Sequence, residues 1–137
     1  MLPVIASVLF TAVGAVAALM TWRCLGANRL LPFHQRPIGR SWAELSSGEQ
    51  AVAQALTRSL GLGFLVAALA LFGAAATALT HPTMATYCLA GLGLVFCVGL
   101  AVINRRLHAS ASVETPWRGA IYLSAAVAIG IALCAFA

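Results

Sequence analysis

The chain has 137 residues, of which 62% are hydrophobic and only 8% are charged, and its formal net charge is +5. A soluble globular domain carries roughly 25% charged residues, so this composition excludes an ordinary soluble domain and indicates a membrane protein. The sequence contains no glycine-rich phosphate-binding loop. We expect no nucleic acid among its partners.

Four apolar runs are each long enough to cross a lipid bilayer. Each has 20 or 21 residues, which is about 30 Å as an α-helix and matches the hydrocarbon core. Transmembrane β-strands are shorter and alternate in polarity, and no such pattern occurs. The sequence therefore predicts an all-α integral membrane four-helix bundle that forms one membrane domain over residues 1–137. The predicted helices are Leu2–Trp22, Leu60–Leu79, Met84–Ile103 and Trp117–Ala137.

The distribution of arginine predicts how the chain is threaded. All eight arginines lie in the segments 23–58 and 105–118, whereas the connection Thr80–Thr83 has none. Loops rich in Lys or Arg remain cytoplasmic, so we predict two basic cytoplasmic loops and both termini outside. The first run is followed, not preceded, by arginines, which distinguishes it from a signal peptide. The use of Arg without Lys suggests a GC-rich bacterial genome, and we expect the protein in the bacterial inner (plasma) membrane.

The first basic loop, residues 23–58, contains two sets of helix-start signals. Ser41–Glu44 and Ser46–Glu49 both have the Ser-x-x-Glu spacing of a capping box. After the second box, apolar residues recur at every fourth position, at Val52, Leu56 and Leu60. This pattern predicts a short amphipathic lead-in to helix two, lying partly among the lipid headgroups.

Prolines mark two further boundaries. Pro82 is predicted to end helix two and to produce a tight external turn. Thr115 is predicted to be the N-cap of helix four, with Pro116 at the first helical position. Glu114 and Arg118 are four residues apart, in the order that favours an ion pair.

The interiors of the four predicted helices contain no ionisable side chain of the kind that ion and proton carriers place there. The small multidrug-resistance transporters are four-helix chains of similar size that use a glutamate in the first helix, and this chain has none. The histidines lie in loops, and no Cys-x-x-Cys pair or zinc-like spacing occurs. We therefore predict no metal and no cofactor. Interior hydroxyls, such as those of Thr77, Thr86 and Ser124, are expected to donate to the carbonyl of the preceding helical turn.

The segment RRLHA, Arg105–Ala109, together with Arg118, resembles the segment between helices three and four of the membrane-associated eicosanoid and glutathione metabolism family. The predicted threading is similar to that of the family as well. The family's Asn and Glu pattern at the start of helix two is missing, because Gln54–Gly61 stands there. The resemblance implies a glutathione-type membrane enzyme as one alternative function.

Small residues recur on helix four, where Ala120, Ser124, Ala128 and Ala132 form an i+4 stripe. Such stripes allow close helix packing in lipid, either within one chain or against a second copy, and the sequence does not separate these cases. We expect membrane lipids, including anionic headgroups, as partners, together with a homo-oligomer or a larger membrane complex.

The sequence favours a non-catalytic accessory, assembly or self-associating subunit. The alternative from another class is an oligomeric pore or carrier for a neutral or lipid-like solute. Any site is expected on the cytoplasmic face, where cationic side chains could contact a phosphate or lipid headgroup. The competing interpretation is that these residues only determine orientation. The candidates are Arg36, Arg40, His108 and Arg118.

Overall fold

The computed structural model describes residues 1–29, 39–111 and 114–137. The long helices are α1 (Leu2–Leu25), α2 (Ser47–Thr80), α3 (Met84–Ala111) and α4 (Trp117–Ala135), and a 3-10 turn covers Trp42–Glu44. All four helices are long and apolar enough to cross a membrane. The predicted all-α architecture with four helices capable of spanning a membrane is thus confirmed.

Three of the helices are longer than the apolar runs that predicted them. The first continues from Trp22 to Leu25, and α3 extends eight residues beyond Ile103. The predicted lead-in to helix two is not a separate turn but the start of one continuous 34-residue helix. Nothing after Gly48 breaks the helix, so it spans about 51 Å and extends beyond a hydrocarbon core of about 30 Å. Hydropathy locates the bilayer crossing but not the helix ends.

Both Ser-x-x-Glu predictions locate real helix starts. The Glu49 carboxylate accepts from the Ser46 N–H at 2.8 Å, and the Ser46 hydroxyl accepts from the Glu49 N–H at 3.3 Å. The Glu44 carboxylate accepts from the Ser41 N–H at 2.7 Å at the start of the 3-10 turn. These bonds satisfy backbone donors that a helix start leaves free.

The four helices form a ring in which each packs against its neighbours in the chain and α1 also packs against α4. Close approaches show that α1 and α2 are antiparallel, since Gly14 lies against Leu71 whereas Gly61 lies against Cys24. We call the end where α1 and α3 end and α2 and α4 begin the basic end, because all eight arginines lie in or beside the two connections at this end of the helices. The opposite end, at Thr80–Thr83, is the turn end.

Small residues let the helices approach closely. A Cβ placed on Gly130 would lie 2.5 Å from the ring of Phe10, and one on Gly93 would lie 2.6 Å from Leu71. Phe10 and Leu71 are both fully buried. The ring and the isobutyl group therefore occupy the space that the missing side chains leave, as expected where packing rather than hydrophobic drive holds helices together.

The outer surface of the bundle is strongly apolar. Val8, Leu69 and Val95 are 61%, 63% and 73% exposed. Between 22% and 39% of each spanning window is buried inside the protein. A water-soluble protein rarely exposes such large apolar areas, whereas a lipid-facing surface requires them.

The turn end is closed by a hydroxyl pair between α2 and α3. The Thr86 hydroxyl donates to the Thr77 hydroxyl at 2.8 Å, and Thr77 donates in turn to the Gly73 carbonyl at 3.0 Å. Thr77 and Ser124 thus bond the preceding turn as predicted. The prediction was wrong for Thr86, because that residue lies in the first turn of α3 and has no complete helical turn before it.

Candidate binding cavity at the basic end

A half-open cavity of about 650 Å³ lies at the basic end and is lined by all four helices. Its volume is within the range of roughly 300–1,000 Å³ that is usual for small-molecule sites. Its inner part is apolar, and its outer part carries polar and charged side chains. The lining residues are Val16, Met20, Leu60, Phe64, Leu100, Asn104, His108, Ala120, Leu123 and the segment 114–119.

The inner end of the cavity is closed. Phe64 meets Phe96 edge-to-face, with ring centroids 5.1 Å apart. A small void of about 20 Å³ adjoins the cavity on the side of Val13 and Leu71, and it shares Phe64 and Leu100 with the cavity lining. That is roughly the space of one water molecule, so the cavity narrows sharply toward the turn end. Along α3, the eight-residue step from Leu100 to His108 gives a depth of roughly 12 Å.

The mouth of the cavity is built around the indole of Trp117. The guanidinium of Arg118 lies 5.4 Å from the centroid of this ring, and that of Arg105 lies 5.9 Å from it. The His108 ring is 6.4 Å away, centroid to centroid. Distances below about 6 Å allow cation–π attraction, so one aromatic ring holds two cations at the entrance.

A short chain of hydrogen bonds joins the mouth to α3. The Asn104 amide donates to the Leu100 carbonyl at 2.8 Å, and the Thr115 hydroxyl donates to the Asn104 carbonyl at 2.8 Å. This second bond fastens the segment before α4 to the end of the apolar part of α3. The predicted N-cap was wrong because α4 begins at Trp117 with Pro116 as its N-cap residue, so Thr115 lies one position too early and bonds to α3 instead.

Helix α4 therefore begins at the cavity without a side-chain cap. Its N-cap residue is Pro116, which makes no side-chain capping bond. The N–H groups of a first helical turn carry partial positive charge. The predicted pair of Glu114 with Arg118 is not formed, and within the described ranges the ion pair that the structure contains joins Arg40 to Glu49. Glu114 precedes α4 instead of lying one turn away on it, so the helical spacing does not apply.

The four predicted site residues separate into three groups. His108 and Arg118 line the cavity. Arg40 is not among the lining residues and binds Glu49 at 2.6 Å. Arg36 lies outside the described residues, so its predicted contact with a headgroup stays a prediction.

Arg40 contributes to a local electrostatic arrangement at the start of α2, before the uncharged run that crosses the bilayer. The backbone N–H of Ser46 and then the Arg40 guanidinium lower the pKa of Glu49 to about 2 from its ordinary value of 4.5. Both groups stabilise the ionised carboxylate. Arg40 thus has a structural role that the sequence analysis did not assign.

Sequence reasoning missed Trp117 and Asn104 as parts of the site. The sequence predicts Trp117 at the start of helix four, near the cytoplasmic interface, and Asn104 directly follows a predicted span. Both residues lie where an apolar run meets arginines, and this position could have identified them. Polar and aromatic side chains at a bilayer boundary can face a cavity as well as the lipid.

Comparison with protein-family models, with curated proteins and with solved structures finds no match to this chain. The implied glutathione chemistry therefore stays a prediction, and the cavity is the basis on which a function is proposed.

Proposed function

We propose that this chain is a non-catalytic, multi-pass protein of the bacterial inner membrane that binds a lipid-like molecule in the cavity at its basic end. The observation that carries this proposal is a half-open cavity with an apolar inner part beneath a polar mouth. The proposal combines two expectations from the sequence. The protein is non-catalytic, as in the favoured hypothesis, and its ligand is lipid-like, as in the alternative of a pore or carrier.

The level of the cavity supports binding from the membrane. Its floor residues Val16, Phe64 and Leu123 lie within the uncharged runs, whereas its outer wall reaches Arg118 at the start of α4. The uncharged runs end where the hydrocarbon core ends. An occupant would therefore place its apolar part at the depth of lipid chains and its polar part near the headgroups.

The closed floor favours binding over conduction through one chain. A pore would need a polar or hydrated path along the bundle axis. Phe10, Leu71 and Val127 instead fill the axis toward the turn end and are fully buried. Transport by an oligomer and a role as an accessory or assembly subunit remain compatible with lipid binding.

The test is native mass spectrometry of the protein released from membranes, with variants that fill the cavity. We expect the wild type to retain a lipid-like adduct and Ala120→Phe to lose it, because Ala120 lines the cavity. Ala128→Phe is the matched control, since Ala128 is on the same helix but exposed.

Val16→Phe fills the same cavity from α1. Loss of the adduct in this second variant would show that the effect of Ala120→Phe comes from filling the cavity. Monodispersity and the thermal midpoint establish that each variant is folded. Retention of the same adduct by the wild type and by a folded cavity-filling variant would contradict the proposal, as would a wild type that carries no adduct.

A further inference from the structure

We infer that the occupant of the cavity is an amphiphile with an anionic headgroup, held at the mouth by Arg118 and Arg105 beside Trp117. This inference rests on the proposed function and names the ligand class of the same site. The ligand source is the membrane, and the relevant chemistry is a phosphate-like or carboxylate head joined to an apolar chain.

The first argument is the pair of guanidinium groups at the ring of Trp117, which lines the cavity mouth together with Arg118. Arg118 and Arg105 lie within 6 Å of the same indole ring, at 5.4 and 5.9 Å. Glu114 lines the cavity, yet in the described part of the chain neither arginine forms an ion pair with it or with another carboxylate. An anion bound beside the Trp117 ring would be attracted by both guanidinium groups.

The second argument is the direction of α4. Arg118 lies in the first turn of this helix, where the partial positive charge of the N–H groups disfavours a cation. Pro116 provides no side-chain cap that would offset this charge. The cation is nevertheless held there by Trp117, so the helix start and the guanidinium add their positive potentials at the cavity mouth.

The third argument separates an amphiphile from a free anion. A site for inorganic phosphate alone would need polar groups around the whole anion, whereas Val16, Met20 and Phe64 line the inner part of this cavity. Apolar lining of this extent favours an occupant with a chain. Guanidinium groups are suited to bind phosphate or carboxylate oxygens at its outer end.

The experiment uses the full chain in nanodiscs of zwitterionic phosphatidylcholine and three probes that differ by one part each. These are a monoacylglycerol phosphate, the corresponding monoacylglycerol without phosphate, and glycerol phosphate without the chain. We expect the monoacylglycerol phosphate to bind about tenfold more tightly than the neutral probe, because hydrogen bonds to a charged group are lost with the phosphate. Glycerol phosphate should bind at least tenfold more weakly than the complete amphiphile.

Arg118→Gln and Arg105→Gln should each weaken binding of the phosphate amphiphile by about tenfold and leave the neutral probe unchanged. Arg106→Gln is the matched control: Arg106 neighbours Arg105 on α3, but within the described residues the guanidinium groups that lie over the Trp117 ring are those of Arg105 and Arg118. Equal losses in the Arg106 and Arg118 variants would overturn the inference, since the effect would then reflect diffuse surface charge.

The failure of this inference is distinguishable from the failure of the proposed function. If the wild type binds charged and neutral amphiphiles equally and Ala120→Phe abolishes binding of both, the cavity is the binding site but it does not select an anionic headgroup. If Ala120→Phe alters the binding of neither amphiphile, the cavity is not the binding site and the proposed function fails. If glycerol phosphate binds as tightly as the complete amphiphile, the inference is overturned, because the ligand would then be a free anion.

Discussion

The two ends of this bundle are packed differently. At the turn end, Phe10 fills the space above Gly130, and the Thr77 and Thr86 hydroxyls join α2 to α3. At the basic end, the same four helices enclose about 650 Å³ and place an aromatic ring between cations at the mouth. The helices are thus held together at one end and separated at the other.

This difference follows from how packing works in a bilayer. Lipid chains are as apolar as the helix surfaces, so close contact and hydrogen bonding have to hold the helices together. The buried core lies mainly at the turn end, where it includes Ala6, Ala74, Ala78 and Ala90. Because that end stabilises the bundle, the basic end is free to keep a cavity. The comparison predicts that mutations at the turn end lower the free energy of unfolding strongly and that mutations at the basic end change it little.

The largest effect on stability is expected from Phe10→Ala. Removing this fully buried ring leaves a void at the α1–α4 contact, and we expect the free energy of unfolding to fall by about 3 kcal/mol. Phe136→Ala is the control, because Phe136 is 81% exposed and should change stability little. Unfolding in mixed micelles, followed by circular dichroism, measures both. Equal losses in the two variants would mean that the turn end does not hold the bundle together.

A smaller effect is expected when a methyl group is added to a glycine at each end. Gly130→Ala forces Phe10 away from the helix and should lower the free energy of unfolding by about 1–3 kcal/mol. Gly119→Ala meets no atom within 4 Å at the basic end and should be neutral or stabilising by up to about 1 kcal/mol. The same unfolding measurement applies, and a destabilised Gly119 variant would indicate tight packing around the cavity mouth.

The smallest effect concerns the start of α2, which lies beyond the cavity. Since the pKa of Glu49 is lowered to about 2, this carboxylate stabilises the fold fully above pH 4.5. Its contribution decreases as the pH falls from 4.5 and is lost below about 2. Carboxyl ¹³C chemical shifts should show this low midpoint, and Arg40→Gln should raise it. A wild-type midpoint near 4.5 would contradict the observed pairing.

Several features of the fold could be predicted because they depend on residues close in sequence. A run of 20 apolar residues predicts a spanning helix by length alone. The capping boxes at Ser41 and Ser46 predict helix starts because their bonds join residues three apart. Pro82 predicts the end of α2, which stops at Thr80. Where the prediction went wrong, at Thr115 and Thr86, the hydroxyl has its partner on another segment.

The candidate site could be predicted only in part for the same reason. His108 and Arg118 were named because cations cluster near a bilayer boundary, but the same argument named Arg40, which binds Glu49 instead. The α4 stripe shows a similar limit, since Ala120 is buried whereas Ala128 is exposed. The inward face of α4 instead carries Val127, Gly130 and Cys134.

The sequence by itself determined the class of protein, the number of spans and the end at which the arginines lie. Those properties follow from composition and from the length and order of apolar runs. Only the tertiary structure decided which helix faces meet, where packing stops and a cavity begins, and that Arg105 and Arg118 share the ring of Trp117. The reason is that helix rotation and the spacing between helices depend on side chains far apart in the chain, such as Phe10 against Gly130.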